Sequence, residues 1–430
     1  MKKGIAVICC SLLAITSLFA SGTSEKEVSK PVTLTFGSHQ SGLPNTGIVQ
    51  DLAKEFESET GIKIDFQISP DAQWRDLIKV KLDSGEAPDI ICVDTPINLA
   101  SSTQMSQYCV DLTNEEWMSR MSDAAVSAVS DNNKAYGITF PGPKMWFVVY
   151  NKTIFENLGL KAPTSYDEFK EVCQTILDSG ITPIYECTTN GWHQVLPLFE
   201  TGGLYLQSDP NLYDELNANE KDLDDIPELL TIIKQVNEVA QLGYYGTDYL
   251  SNAWENAPEA IASGACAMTI AELGWKNQVT AEYPDFDSDN LGQFVIPFGD
   301  NQVIGVNPAS NAYFINKSSK HTEEAKLFFA FLARKENLEK RFEGQPDLNA
   351  LCWPEIPTRF KADENAYIDS LQKARVVQTS VNYIDNQWMD IGKDLESMFI
   401  GASTPEDVLN IIMNRRNNQA KLQRDPGWVN

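Results

Sequence analysis

The most regular alternation of apolar and polar positions runs over residues 61–94. Ile62, Ile64 and Phe66 alternate with polar neighbours, the period of a strand with one face turned inward. Trp74, Leu77, Ile78 and Leu82 then recur at helical spacing, and Ser84-Gly85 ends that helix. Ile90, Ile91, Cys92 and Val93 follow as an unbroken apolar run ending in Asp94. Such a run fits a strand buried on both faces of a parallel sheet covered by helices. Ligands gather at the carboxyl ends of strands in these sheets, so Asp94 is expected at the lip of a crevice.

The same periods recur along the chain. A first strand is expected from residue 32 to 37, with Ser38, His39 and Gln40 at its end. Ile48, Val49, Leu52 and Phe56 mark the inner face of a helix that Gly61 closes. Residues 134–144 are rich in Gly and Pro and precede the apolar strand 145–150, which suggests a connection between two lobes. The next helix starts at Pro163-Thr164, with Thr164 as cap and Asp167 answering it, and strand 181–184 follows. A helix over 227–242 and strands over 265–270, 292–298 and 312–315 come next. Ala325, Phe328, Phe329 and Leu332 align on another helix. Two last helices carry Trp388, Ile391, Leu395, Met398 and Phe399, then Thr404-Pro405 as a start signal. No internal repeat has a fixed period.

At 430 residues the chain exceeds what one core normally serves, so two lobes are expected. Lys2-Lys3, an uncharged apolar run and Ala20-Ser21-Gly22 read as a secretory leader over 1–22, followed by a disordered stretch over 23–31. Cys9 and Cys10 lie too early to be acylated, so a soluble periplasmic protein is expected. The other six of the eight cysteines show no C-x-x-C spacing and suit buried thiols. Net charge is −26, which argues against nucleic acid and anionic lipid as partners. Nine tryptophans and fourteen tyrosines offer broad apolar plates for the C–H faces of sugars.

FESETGIKI over 56–64 and LDSGEAPDI over 82–90 resemble segments of bacterial ABC-importer solute-binding proteins, the family typified by maltose- and oligosaccharide-binding proteins. Three further groups are similar to that family in the same order. They are Tyr136-Gly137-Ile138, the run from Val149 to Lys152 with Phe155 and Gly159-Leu160, and the run from Ser263 to Met268 with Gly274-Trp275. The resemblance implies an α/β fold of two lobes (the type 2 periplasmic-binding-protein fold), with mixed, mostly parallel sheets flanked by helices and a ligand cleft at the hinge. One lobe would take 32–141 plus 299–353, the other 142–298 plus 354–430. It implies a monomer that closes on a solute and delivers it to a membrane permease, without catalysis, cofactor or metal.

Site candidates combine residue chemistry with that resemblance. Asp94 can accept two hydroxyl hydrogens, as sugar diols present them; a helix cap is its other reading. His39 could donate from the first strand's end. Trp275 matches the family position whose ring stacks under a sugar, and the resemblance favours the same role for Trp388 over plain core packing. Trp192 lies in a polar loop, and Glu272 near the rim of Trp275. A P-loop at 137–144 fails because Pro143 removes a backbone donor, and the calcium-like run 285–290 lacks the required Gly and Glu. Three widely spaced histidines make a histidine-rich metal site unfavourable. An exported glycosidase stays open, as does a polyamine, peptide or phosphorylated glycerol ester ligand in the same fold.

Overall fold

The computed structural model describes residues 32–428 except 98, 100–102, 202 and 309, and omits the side chains of 71, 72 and 75. The leader expected over 1–22 and the stretch over 23–31 lie outside the described residues.

The alternating segment 61–94 folds as its pattern dictates. Strand Lys63–Ser69 leads through helix Asp71–Ser84 into strand Ile90–Asp94. Gly85 ends this helix, and Gly61 ends the preceding helix Ile48–Thr60, both in left-handed conformations where a side chain would be strained. The Trp74 indole donates to the Cys92 carbonyl at 2.8 Å, fastening the helix across the sheet. Strand Thr33–His39 lies between the other two, parallel to both. The sheet then turns antiparallel: Asn311–Ile315 pairs with Ile90–Asp94 on one side and with Gly137–Thr139 on the other. The parallel order expected from the opening unit is thus confined to its first three strands. Asn311–Ile315 reaches the sheet from the far side of a crossing, so no local connection sets its direction.

Helices Ile48–Thr60, Thr322–Leu332 and Lys335–Glu343 cover this sheet. Phe56 sits 5.1 Å from Phe328 and 5.4 Å from Phe331, measured between ring centres. This first core draws on residues between 34 and 140 and between 312 and 356. A second core draws on residues between 148 and 298 and between 377 and 412. Its sheet runs Leu291–Phe294, Trp146–Asn151, Cys266–Glu272, Thr182–Ile184. Helices Tyr166–Asp178, Pro227–Gln241, Trp388–Phe399 and Pro405–Leu422 pack with it. Thr404 and Asp407 form the reciprocal cap the sequence suggests. At the other expected cap, Ser165 and not Thr164 accepts the Glu168 N–H, while Glu168 accepts from Thr164. The cap therefore falls one residue later than expected, and Glu168 reaches back past it to Thr164 instead of closing a reciprocal box. All six cysteines among the described residues are buried, unbridged thiols. Among the described residues no helix is long and apolar enough to cross a membrane.

Between the cores the chain makes a short parallel ribbon, Val303–Val306 with Gln372–Arg375. Lys144 and Asn307 exchange backbone hydrogen bonds of 2.8 and 2.9 Å beside it. Gly305 is required there: a Cβ would stand 2.1 Å from the Glu200 carbonyl oxygen. The Asn307 amide donates to Glu200 at 2.9 Å and to Gln378 at 2.7 Å, and Gln378 donates to Asp385 at 2.8 Å. Burial pushes the Glu200 carboxyl up to about 8, against the lowering pull of Asn307 and Lys144.

Phe56→Ala should destabilise the first lobe by about 3–5 kcal/mol, the usual cost of emptying a buried phenylalanine site, and show an earlier transition in urea. Glu200 yields a second expectation. A carboxyl raised in the folded state from 4.5 to about 8 stabilises fully below pH 4.5, and that stability is lost as pH rises through 8. Glu200→Gln keeps an acceptor for Asn307 and removes the titration. Thermal melts should find the variant more stable than wild type at pH 8 and equal to it at pH 4.5; parallel pH profiles would contradict this.

Candidate functional site

A crevice opens where the strand ending at Asp94 faces the segment after the hinge ribbon. Val93, Asp94 and Thr95 line one side, and Gln378, Thr379 and Asp385 the other. Asp94 ends its strand with 54% of its side chain exposed, and its Oδ1 stands 3.8 Å from His39 Nε2. His39 is otherwise buried, with Nδ1 3.0 Å from the Ser41 hydroxyl. The two candidates from the first lobe therefore meet at adjacent strand ends, as their positions in a parallel pair require. The cavity measures about 50 Å³, well under the roughly 300 Å³ of an ordinary small-molecule pocket.

The hinge network continues this crevice. Gln378 leads through Asn307 to Lys144, whose ammonium lies 3.9 Å from Glu272. Glu272 is paired across the second sheet with Trp146, so both side chains share one face at the sheet end nearest the crossing. Glu272 keeps 31% of its side chain exposed, yet surrounding protein raises its carboxyl above the usual range, partly countered by Lys144. Asp347, from the first lobe, is raised in the same way by burial and is felt at Glu272 as a like charge. Asp347 also approaches Gly274: a Cβ there would stand 1.8 Å from its carbonyl oxygen.

Beside Glu272 stands a file of indoles. Trp146 and Trp192 have ring centres 5.8 Å apart, Trp192 and Trp254 5.4 Å, and Trp254 and Trp275 5.5 Å. Trp146, Trp192 and Trp254 are half-buried and keep open surface. Trp275 and Trp388 differ from the expectation of stacking plates. Trp275 is 4% exposed and packs among Tyr185, Ala257 and Val279, so its ring backs Trp254. Trp388 is 8% exposed, lies 5.8 Å from Phe199 and donates to the Trp192 carbonyl at 3.0 Å. Each begins a helix whose apolar face turns into the second lobe, and that face takes the ring with it.

Sequence reasoning missed Trp146, Trp254, Gln378 and Asp385. Trp146 opens an apolar strand and reads as core; only its register against Glu272 brings it to the sheet end. Trp254 sits in a turn with no periodic signal, and Gln378 and Asp385 join the crevice solely through the returning hinge segment.

Comparison with known proteins follows this geometry. The description "bacterial extracellular solute-binding protein" matches over residues 42–339. The multiple sugar-binding protein of Streptococcus mutans is 22% identical over 397 residues, 88% of each chain. The arabinooligosaccharide-binding protein of Bacillus subtilis is 22% identical over 390 residues, 86% of each chain. Among solved structures, a sugar transporter from Bacillus licheniformis in complex with stachyose aligns with TM-score 0.73 and 19% identity, covering 90% of this chain and 99% of that one. With a family match spanning well over half its length and the two-lobe fold that goes with it, this chain belongs to the bacterial extracellular solute-binding proteins that serve ABC importers.

Proposed function

We propose that this protein captures an uncharged carbohydrate between its lobes, closes on it about the hinge ribbon, and delivers it to the permease of an ABC importer. The observation that carries this reading is the file of half-exposed indoles, Trp146, Trp192 and Trp254, beside the polar hinge chain of Glu272, Lys144, Asn307 and Gln378. Indole faces suit the C–H surfaces of sugar rings, while carboxylates and amides suit the hydroxyls at their rims. Asp94 and His39 would add contacts from the opposite lobe, so a bound solute favours the closed population. Trp275 and Trp388 act behind the wall, holding Trp254 and Trp192 in place. The narrowness of the crevice supports lobe movement as part of binding. The sugar-binding relatives and the stachyose-bound neighbour agree with this ligand class. Membership of an extracellular solute-binding family supports export, with the periplasm as the compartment where capture takes place.

Stachyose, arabinotriose and diacetylchitobiose form a direct panel. A true ligand should shift tryptophan emission and, at a hundredfold excess over its Kd, stabilise the fold by about 2.7 kcal/mol. Spermidine or sn-glycerol 3-phosphate shifting the melt while every saccharide fails would overturn the ligand class. Release of shorter sugars from the panel would establish a hydrolase instead.

Trp192→Ala should weaken saccharide binding by about 1–3 kcal/mol, the scale of burying one large ring. Titration calorimetry giving unchanged affinity would remove that ring from the site.

A further inference from the structure

We infer that Glu186 and His193 form a positioning unit for the indole wall, a buried ion pair that sets the planes of Trp192 and Trp254 before any ligand arrives. The inference rests on the wall being the ligand platform.

Both side chains are fully buried in the second lobe. His193 Nε2 donates to the Ile270 carbonyl at 2.9 Å, and Nδ1 lies 2.6 Å from Glu186 Oε1. Each ring nitrogen thus faces an acceptor. Two arrangements satisfy both contacts, an imidazolium against a carboxylate or a neutral Nε2–H imidazole accepting from a protonated Glu186, and acceptance of the Cys187 N–H by the same Glu186 oxygen favours the first. Burial alone would lower the His193 pKa, but the Glu186 charge, its hydrogen bond and the Ile270 carbonyl together hold it above the usual value. The same Glu186 oxygen also accepts the Cys187 N–H at 2.9 Å.

A buried charge pair is a poor way to gain stability, since desolvation cancels much of the attraction. Its place under the wall gives it another use. The His193 ring lies 5.1 Å from Trp254 at an interplanar angle of 30°, and 5.2 Å from Trp192 at 69°. An imidazolium attracts the indole face electrostatically, in a way an aliphatic core residue cannot. The loops carrying the two rings are tied to the same unit. Asn252 donates to the Glu186 carbonyl at 3.1 Å, and the Trp254 N–H donates to Asn190 at 2.7 Å. The pair therefore determines ring orientation from beneath, without touching the ligand.

Glu186, Cys187 and His193 also present metal-type donors within 4.8 Å of one another. The 2.6 Å contact between carboxylate and imidazole already joins two of the three, so those two donors satisfy each other.

The test uses the full mature protein. Nitrogen NMR of wild type at pH about 8, above the ordinary histidine pKa of about 6.5, should detect protons on both His193 ring nitrogens. A single neutral tautomer would overturn the inference, and this reading needs no variant to fold. In His193→Gln and Glu186→Gln the circular-dichroism exciton signal of the paired indoles should fall, and affinity for the panel saccharide that binds wild type should drop at least tenfold. Trp254→Phe identifies the part of that signal that comes from the two pairs containing Trp254, leaving the Trp146–Trp192 pair. Unchanged signal and affinity in His193→Gln would defeat the positioning role while leaving sugar capture intact. Should no saccharide bind wild type, the ligand reading fails, and the NMR and exciton signals still decide the pair's role. Loss of the exciton signal on adding Zn²⁺ to wild type would assign the three donors to a metal and overturn the inference.

Discussion

Two large apolar cores close separately in this molecule, and the seam between them carries only a small apolar cluster around Ile304, with polar and aromatic groups making up the rest. Everything functional depends on that constraint. Apolar contacts stabilise each lobe internally, through Phe56 against Phe328 and Phe331 in one and the helices around Trp388 in the other. Had the same apolar surface run through the seam, the lobes would be fused by hydrophobic burial and no solute could enter. The junction instead relies on the Val303–Val306 ribbon, the Lys144–Asn307 exchange and the Glu200–Asn307–Gln378–Asp385 chain. Hydrogen bonds of this kind hold geometry while contributing modestly to net stability, which suits a hinge.

Ionisable groups withdrawn from water cluster near this junction. Glu200, Glu272 and Asp347 are all raised by burial, with Lys144 as the cation that Glu200, Glu272 and Asp347 share. Deeper in the second lobe, Glu186 and His193 pair beneath the indoles. Each arrangement costs desolvation, and each fixes an orientation that apolar packing would leave loose. Rigid donors and rings prepared in advance reduce the entropy lost when a flexible, hydroxyl-rich solute is gripped.

Much of the fold was legible in the sequence because local signals and tertiary packing agree. Gly61 and Gly85 end helices where their freedom is needed, Thr404 and Asp407 cap as their spacing suggests, and the apolar run before Asp94 is a buried strand. Where two neighbouring hydroxyls could serve, the sequence did not choose between them, as in the cap at Ser165 instead of Thr164. The site was legible in part. His39 and Asp94 come together because parallel neighbours end at one edge. Trp275 and Trp388 were read as open plates, yet helical periodicity does not say which way the first ring of a helix turns. Trp146, Trp254 and Gln378 reach the seam through strand register, a turn and a returning crossing, none of which leaves a periodic mark.

Closure of separate lobes over a solute is the central claim, and small-angle X-ray scattering measures it directly. Scattering from the mature protein with and without a saccharide that stabilises it should give a smaller radius of gyration for the bound form. A radius unchanged at saturation would contradict the account.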